Sequence, residues 1–340
     1  MWKKILNNIV NMFNEIKYLF WKGVINMDIE VSVIVPIHGV GKYLKKCLDS
    51  LVEQDFALPY EIICVSDNCN DDSDEIIDDF IKKYSEKFVT ISVCNKNPSG
   101  TRNDGLKIAR GKYVMFVDGD DSVLKSYISS LYNTVIKDDL DIGCANYYNV
   151  VEGNESKLIK EFTSNFCIKK ESSAAKARDA FALDVKMRGF VWNKIYKRQF
   201  LIDNNISFNK TFLPYDDSNF NFLCFVKTNK NVGFCNYRGY LYLQRKVSYT
   251  KGTKSLVLMD SVINGVTFVR AYQLLNNNDF PYKKYYFAKK FLLKYNFQSN
   301  KSHIENYSKI KKEYLKKYKT IVNAKDISSL NQDIVAILKK

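Results

Sequence analysis

The sequence predicts an α/β protein with an open, Rossmann-like, mostly parallel β-sheet and helices on its faces. Two observations support this prediction. Apolar runs of strand length indicate strands buried on both faces, which is typical of parallel sheets; they lie at residues 31–36, 61–67, 89–94 and 112–117. Segments with helical spacing separate these runs, at residues 42–53, 72–84 and 101–110. This alternation of strand and helix indicates βαβ units.

The rest of the chain changes character after the last of these strands. A helix is predicted over 124–137, a strand over 140–150, a polar loop or hairpin over 151–170, helices over 172–184 and 216–229, and a Tyr-rich strand over 232–243. From residue 255 onward the chain is mostly helical in pattern and rich in Lys and Tyr. We therefore expect an amphipathic helical extension (1–28), an α/β domain (29–250) and a helical C-terminal region (251–340).

The N-terminal residues 2–26 have the spacing of an amphipathic helix, with Trp2, Ile9, Phe13 and Phe20 on one broad face. Asn and charged residues interrupt the apolar stretch. It therefore matches neither a cleavable signal nor a membrane span, which needs ~20 mostly apolar residues. Such a helix can lie in a membrane interface or pack against protein, and the sequence favours neither.

Composition excludes several classes of protein. The net charge of +15 favours an anionic partner, and a membrane surface more than nucleic acid, because no nucleic-acid-binding motif is present. The eight cysteines are scattered without a Cys-x-x-Cys pair, which indicates reduced thiols in a cytoplasmic protein. With only His38 and His303, a histidine-rich metal site is excluded.

Polar groups follow three of the predicted strands at their carboxyl ends. These groups are the turn at 36–38, Asp67, and the acidic cluster at 118–121. In an open α/β sheet, ligands bind beyond the carboxyl ends of the strands. The sequence therefore gathers these distant residues around one crevice.

The acidic cluster contains two carboxylates with metal-ligand spacing. Asp118 and Asp120 are two residues apart, so in extended backbone their side chains point the same way. Two carboxylates on one side can hold a hard divalent cation, Mn²⁺ or Mg²⁺, which prefers oxygen ligands. A solvated acidic turn is the alternative interpretation, and the preceding buried strand favours the metal site.

A dinucleotide-binding site is an alternative interpretation of the first predicted turn. The strand, the turn and the later Asp67 resemble the general layout of such a site. However, Leu44 stands where the third glycine of that motif is required, and Pro36 ends the strand. The sequence therefore lacks the dinucleotide-binding motif of dehydrogenases.

Five segments, in order along the chain, carry a resemblance to a known family. They are the strand at 31–36, the helix at 43–51, Asp67-Asn68-Cys69-Asn70-Asp71, Arg102-Asn103-Asp104-Gly105 with residues 109–113, and Phe116-Val117-Asp118-Gly119-Asp120-Asp121. Together they resemble the inverting family 2 glycosyltransferases of GT-A fold. A weaker match continues through residues 192–196 and Asp216-Asp217. No such match extends beyond about residue 255.

The resemblance implies a role for each matching residue. Pro36, His38 and Asp67 would hold the nucleotide, with Asp71 supporting the pocket. Arg102 and Asp118 would approach the nucleotide-sugar. Asp120 would bind the metal ion. Arg245, which follows the Tyr-rich strand, would lie near the diphosphate.

Asp217 would be the general base, because inversion needs one base to take the proton of the acceptor hydroxyl. Asp217 can instead cap the helix that follows it, and the neighbouring Asp216 makes the assignment between the two open. The segment 67–71 also departs from the family pattern. Its Asn68 is able to adopt the left-handed turn that the family's glycine provides.

We therefore expect metal-dependent transfer of a hexose or N-acetylhexosamine from a UDP-sugar to a glycan or lipid-linked acceptor. The setting would be capsule, O-antigen or lipooligosaccharide synthesis at the cytoplasmic face of the membrane, with possible peripheral contact and no nucleic acid. The alternatives are a nucleotidyltransferase, although residues 37–44 lack its Gly-rich loop, and a non-catalytic scaffold on the same fold.

Overall fold

The computed structural model describes residues 28–161, 189–245, 255–276, 282–299 and 301–338. The predicted helices at 2–26 and 172–184 lie outside these residues. The strands are β1 (Val31–Ile37), β2 (Tyr60–Asp67), β3 (Phe88–Val93), β4 (Tyr113–Phe116), β5 (Ser122–Val123), β6 (Ile142–Val151), β7 (Asn154–Glu161), β8 (Lys194–Lys197) and β9 (Val232–Gln244).

The α-helices alternate with the first strands and dominate the C-terminal region. They are α1 (Gly41–Val52), α2 (Ser73–Lys83), α3 (Pro98–Ile108), α4 (Tyr127–Ile136), α5 (Arg198–Asp203), α6 (Asp216–Lys227), α7 (Ser255–Asn276), α8 (Tyr282–Ser299), α9 (Tyr307–Val322) and α10 (Gln332–Leu338). Every strand and helix predicted within the described residues is present, with ends that differ by a few residues.

The strands form one open sheet in the order β3-β2-β1-β4-β8-β6-β9-β5, with β7 paired to β6. The pairs β3–β2, β2–β1 and β1–β4 are parallel, as predicted. Beyond β4 the sheet is mixed, because β8 is antiparallel to both of its neighbours. The parallel half therefore brings the carboxyl ends of β1, β2 and β4 to one edge.

Both faces of the parallel half are buried, which explains the continuous apolar runs. Ile34 and Phe116 belong to one hydrophobic cluster, whereas Val33 and Met115 belong to the other. Successive side chains of a strand point to opposite faces, so each strand contributes to both clusters.

The C-terminal helices pack against the first of these clusters through aromatic contacts. Phe268 of α7 lies 5.0 Å from Phe212, centroid to centroid, and Tyr272 lies 5.4 Å from Phe222 of α6. The sheet and the C-terminal helices thus share one core. No helix within the described residues is long and apolar enough to cross a bilayer.

Helix α3 lies very close to the sheet at Gly105. A Cβ atom placed there would come within 2.4 Å of Ile34 Cγ2 and 3.2 Å of Val65 Cγ2. Both contacts are with side chains of buried central strands, which cannot move aside easily. The glycine therefore sets the distance between α3 and the strands that end at the cleft.

We expect Gly105→Ala to lower the free energy of unfolding by about 1–3 kcal/mol, because overpacking outweighs the gain in helix propensity. Urea denaturation measures the change. Gly189→Ala is the matched control, since a Cβ there has no atom within 4 Å. Equal stability of the two variants would contradict this account of the α3–sheet packing.

Candidate active site

A cleft of about 540 Å³ opens at the carboxyl ends of β1, β2 and β4. With one exception, the predicted site residues line it: Pro36, His38, Asp67, Arg102, Asp118, Asp120, Asp217 and Arg245. The exception is Asp71. The structure thus brings together residues that are separated by up to about 209 positions in the sequence. For the turn at 36–38, Asp67 and the acidic cluster, the carboxyl ends of the strands predicted this; for Arg102, Asp217 and Arg245, the family resemblance did.

Asp67 ends β2 and holds the loop before α3. Its Oδ1 accepts hydrogen bonds from the backbone N–H of Asn95 at 2.7 Å and of Lys96 at 3.0 Å, and its Oδ2 accepts one from Thr101 Oγ1 at 2.8 Å. The side chain is buried, whereas His38 is exposed, with its Nδ1 2.6 Å from the Asp67 carbonyl oxygen. Asp67 therefore shapes this end of the cleft through the backbone.

Asp71 supports the site from outside the cleft lining. Its carboxylate accepts hydrogen bonds from Gly41 N at 2.8 Å and Ser73 N at 3.2 Å. Burial opposes ionisation, but the hydrogen bonds from Ser73 and Gly41 prevail, and the pKa of Asp71 is lowered. The ionised side chain fixes the start of α1 next to the turn at 36–38.

The guanidinium of Arg102 lies at the centre of the site. It donates from Nη2 to Asp118 Oδ1 at 2.9 Å and from Nη1 to Asp217 Oδ1 at 3.2 Å, and Nη1 lies 3.7 Å from Asp216 Oδ2. Arg102 is only 7% exposed. Burial disfavours its charged form, yet the three carboxylates raise its pKa, so the side chain stays cationic.

Asp216 and Asp217 begin α6 and face the cleft. Asp216 accepts a hydrogen bond from Ser99 Oγ at 2.8 Å, and Asp217 Oδ2 accepts one from Val191 N at 3.3 Å. The N-cap position is Tyr215, with no side-chain capping bond. Asp217 therefore does not cap the helix, and its carboxylate is directed at Arg102 and the cleft.

The pKa of Asp217 rises to about 7. Burial is the main cause, and the negative charges of Asp216 and Asp118 add to it, while Arg102 acts in the opposite direction. Burial likewise raises the pKa of Asp216. A carboxyl group with proton affinity near neutrality can take a proton and return it under ordinary conditions.

A buried hydrogen-bond chain holds the acidic loop after β4. Tyr240 donates to Asp121 Oδ2 at 2.7 Å and accepts from Asp118 N at 3.1 Å, and Asp121 Oδ1 accepts from Leu243 N at 2.6 Å. These bonds join the loop to β9, which Arg245 follows directly. Asp121 is thus a structural anchor, while its neighbours Asp118 and Asp120 line the cleft.

Asp120 pairs with Arg245, whose Nε lies 2.6 Å from Asp120 Oδ2. Burial and the nearby Asp118 raise the pKa of Asp120 to about 6, although Arg245 opposes the rise. Five aspartates line the cleft (Asp67, Asp118, Asp120, Asp216 and Asp217), together with the cationic side chains of Lys96, Arg102 and Arg245. The acidic loop is thus an environment that favours additional positive charge.

Asp118 and Asp120 are the residues that fit a divalent metal ion. Their oxygen donors suit Mn²⁺ or Mg²⁺, which usually keep further positions for water or phosphate oxygens. Within the residues that the structure describes, no group of three or more His, Cys, Asp or Glu is arranged to hold a metal by itself. A metal here would therefore share its coordination with a ligand.

An aromatic stack forms another wall of the cleft. Trp192 stacks on Tyr240 at 4.3 Å, Phe190 at 4.6 Å and Tyr242 at 5.1 Å between ring centroids. Trp192 is 2% exposed and belongs to the core, and Trp192, Phe190 and Tyr242 also line the cleft. This wall is rigid and apolar.

Sequence reasoning missed Ser99, Lys96 and Phe190. Ser99 is a buried hydroxyl that orients Asp216, while Lys96 and Phe190 line the cleft. Lys96 adopts a positive φ of 55°, a conformation that a single sequence does not reveal for lysine. Ser99 precedes the helix predicted over 101–110, so no sequence signal pointed to its contact with Asp216.

The comparisons with known proteins agree with this geometry. Residues 32–202 match the family model for glycosyl transferase family 2. The chain is 29% identical over 221 residues to the glycosyltransferase EpsJ of Bacillus subtilis (strain 168), covering 65% of this chain and 63% of EpsJ. It is 26% identical over 245 residues to the poly(ribitol-phosphate) beta-glucosyltransferase of Bacillus spizizenii, covering 70% of this chain and 37% of that protein. The chain thus covers less than two thirds of either relative.

A solved structure shows the same fold. The crystal structure of S. aureus TarS 1-349 in complex with UDP-GlcNAc superposes with a TM-score of 0.61 at 20% identity, covering 91% of this chain and 84% of that one. The expected GT-A fold is therefore confirmed. Because the family model spans half of the chain, including the cleft-forming strands β1, β2 and β4, the chain belongs to glycosyl transferase family 2.

Proposed function

We propose that this chain transfers a hexose or N-acetylhexosamine from a UDP-sugar to a glycan or lipid-linked acceptor, with inversion at the anomeric carbon. The observation that carries the proposal is the buried Arg102, which joins Asp118 of the acidic loop to Asp217 of α6 across the cleft. Arg102 thus lies between Asp217, whose carboxyl group is suited to proton transfer, and Asp118, whose carboxylate is suited to donor binding.

Asp217 is the proposed general base. A single inverting displacement needs a base on the acceptor side and stabilised negative charge on the leaving-group side. Its carboxyl has a pKa raised to about 7, so near neutrality it is partly ionised and more basic than an ordinary aspartate. Asp216, held by Ser99, supplies the negative charge that keeps this basicity high.

The nucleotide would lie where Asp67 shapes the backbone, beside Pro36 and His38. Its diphosphate would then run toward Asp118, Asp120 and Arg245. The cleft, at about 540 Å³, is of the size that small-molecule ligands occupy. The UDP-GlcNAc complex of TarS, which has the same fold, supports a UDP-sugar as donor.

Asp118 and Asp120 would hold Mn²⁺ or Mg²⁺. When bound, the ion would supply positive charge next to the departing diphosphate. The chain's own part is to orient these carboxylates through Tyr240 and Asp121 and to place Arg245 beside them. Arg245 thus adds a fixed positive charge on the leaving-group side.

The acceptor would be a glycan or a lipid-linked saccharide of bacterial surface-polymer synthesis, such as capsule, O-antigen or lipooligosaccharide. The name of the poly(ribitol-phosphate) beta-glucosyltransferase supports a polymeric acceptor. The aromatic wall at Trp192 and Tyr242 provides an apolar surface of the kind that sugar rings contact. A non-catalytic scaffold is the weaker hypothesis, because Asp118 and Asp217 both accept hydrogen bonds from the buried Arg102 within the cleft.

We expect Asp217→Asn to lower kcat by about 10²–10⁴-fold, since the amide cannot take the acceptor proton. UDP release and calorimetric UDP binding together measure the effect, with binding expected to remain. Asp203→Asn, an exposed change on α5, is the matched control. A larger loss in Asp216→Asn than in Asp217→Asn would move the base to Asp216.

The pH profile follows from the same carboxyl group. The base acts when ionised, so kcat/KM should fall as the pH drops below about 7, the value to which the pKa of Asp217 is raised. Asp216→Asn removes a negative charge that raises this pKa, and its acidic limb should move to lower pH. The measurement is kcat/KM from about pH 5 to about pH 9. If the acidic limb of kcat/KM stays at the same pH in Asp216→Asn, the pH profile does not report the carboxyl groups of Asp216 and Asp217.

Metal dependence is tested with a panel of UDP-sugars, each supplied with Mn²⁺ or with a chelator. We expect UDP release from one donor, loss of release with chelator, and a loss of about 10²-fold or more in Asp120→Ala, because the diphosphate then lacks its counter-charge. Asp104→Ala, outside the cleft lining, is the control. Full activity with chelator would contradict the metal-dependent form of the proposal.

A further inference from the structure

Helix α8 carries an unusual exposed face. Phe287, Phe291 and Tyr295 are 74%, 67% and 61% exposed, and they are the most exposed large hydrophobic side chains among the described residues. They are spaced four residues apart, so they form one line about 12 Å long along the helix. Exposed aromatic rings in a row mark an interaction surface rather than an ordinary protein exterior.

Lysines lie beside these rings. Lys283, Lys290 and Lys294 are exposed and occupy the same side of the helix by their spacing. The sequence of α8 contains no Asp or Glu. We call these six residues the aromatic–lysine face: Phe287, Phe291, Tyr295, Lys283, Lys290 and Lys294. It combines apolar area with positive charge that no acidic residue of α8 offsets.

The opposite side of α8 is firmly packed. Leu293 and Phe297 are fully buried in the core shared with the sheet. Lys289 Nζ lies 3.4 Å from Ser218 Oγ of α6, and Asn296 Nδ2 lies 3.3 Å from Tyr215 Oη. The helix is thus fixed in rotation, and its aromatic rings are held outward by the packing of their opposite side.

We propose that the aromatic–lysine face docks the protein on a bilayer surface rich in anionic phospholipid. Aromatic rings enter the boundary between headgroups and acyl chains, while lysines extend their charge to the phosphates. Each lysine near an anionic leaflet adds attraction, and this helix has no acid to oppose it. Charge therefore selects the anionic surface over a neutral one.

A second copy of the chain fits this face less well. A two-fold symmetric contact would bring the three lysines of one copy against the same three lysines of the other. An anionic lipid surface attracts these lysines instead of repelling them. A helix that lies parallel to the surface can contact it along its whole length.

Docking would also orient the cleft. Tyr215 lines the cleft and contacts the buried side of α8 through Asn296, so the lipid-facing surface and the catalytic residues of α6 lie on opposite sides of one helix. This inference goes beyond the sugar-transfer proposal and does not depend on it, because the surface exists whatever reaction the cleft performs.

The test is co-sedimentation of the full chain with vesicles of phosphatidylcholine, with or without phosphatidylglycerol. We expect binding only to the anionic vesicles. The triple change Phe287→Ser, Phe291→Ser and Tyr295→Ser should weaken binding at least about tenfold, and so should Lys283→Glu, Lys290→Glu and Lys294→Glu. All six side chains are exposed, so the variants should keep the melting temperature of the unchanged protein.

The matched controls are Leu58→Ser with Ile202→Ser, which are exposed apolar side chains elsewhere, and Lys125→Glu with Lys210→Glu and Lys227→Glu. Phe291→Trp gives a local signal, because its emission should shift to the blue on anionic vesicles while that of Ile202→Trp does not. Variants that bind like the unchanged protein would overturn the proposal and assign binding to another segment. Dissociation of a dimer by these variants would overturn it in favour of a second copy.

UDP release from a soluble UDP-sugar is measured on the same samples. The variants of the aromatic–lysine face should release UDP in solution at the rate of the unchanged protein. A protein that sediments with vesicles but releases no UDP would contradict the transferase proposal alone. A protein that releases UDP but ignores anionic vesicles would contradict only the docking proposal.

Discussion

The buried guanidinium of Arg102 is the constraint on which the site depends. A cation this deep is stable only with good partners, and its partners come from the loop after β4 and from the start of α6. The turn that carries it has two further bonds, from Ser99 to Asp216 and from Thr101 to Asp67. One turn of α3 therefore fixes the ends of β2, β4 and α6 relative to each other. The site is preorganised because these elements cannot shift separately.

A second set of bonds ties the mixed half of the sheet to the same point. Tyr240 connects β9 to the backbone of Asp118 and to the buried Asp121. The ring of Tyr240 is also stacked on Trp192. Hence the acidic loop is held from two sides, by Arg102 and by β9, and Asp120 is left at the cleft beside Arg245. This explains how two carboxylates remain close together in a buried place despite their repulsion.

The parallel half of the fold could be predicted because strands buried on both faces need continuous apolar segments, which can be recognised in the sequence itself. The convergence of Asp67 and Asp118 followed from strand ends alone, whereas Arg102, which lies in α3, was placed in the site only by the family resemblance. The strand β8 was not predicted as a separate element. It is four residues long, and it contains Lys194, whose buried ammonium bonds to Asn193 Oδ1 at 2.8 Å. Its place between β4 and β6 depends on contacts far apart in sequence. The roles of Ser99 and Asp121 as buried anchors were not predicted for the same reason, since a buried polar side chain is explained only by its tertiary partner.

Helix α8 connects the packing around the site to the protein surface. Its buried side contacts Tyr215 and Ser218, which flank the two carboxylates of α6, so the rotation of α8 and the position of the proposed base are set by the same packing. A rigid helix between the cleft and an exposed aromatic–lysine face can transmit orientation without any change of shape. An enzyme that meets a lipid-linked acceptor gains from this, because holding two reactants in a fixed relation removes part of the entropy cost of their encounter. The packing of α8 in the core that it shares with the sheet would then also set the angle at which the cleft faces the bilayer.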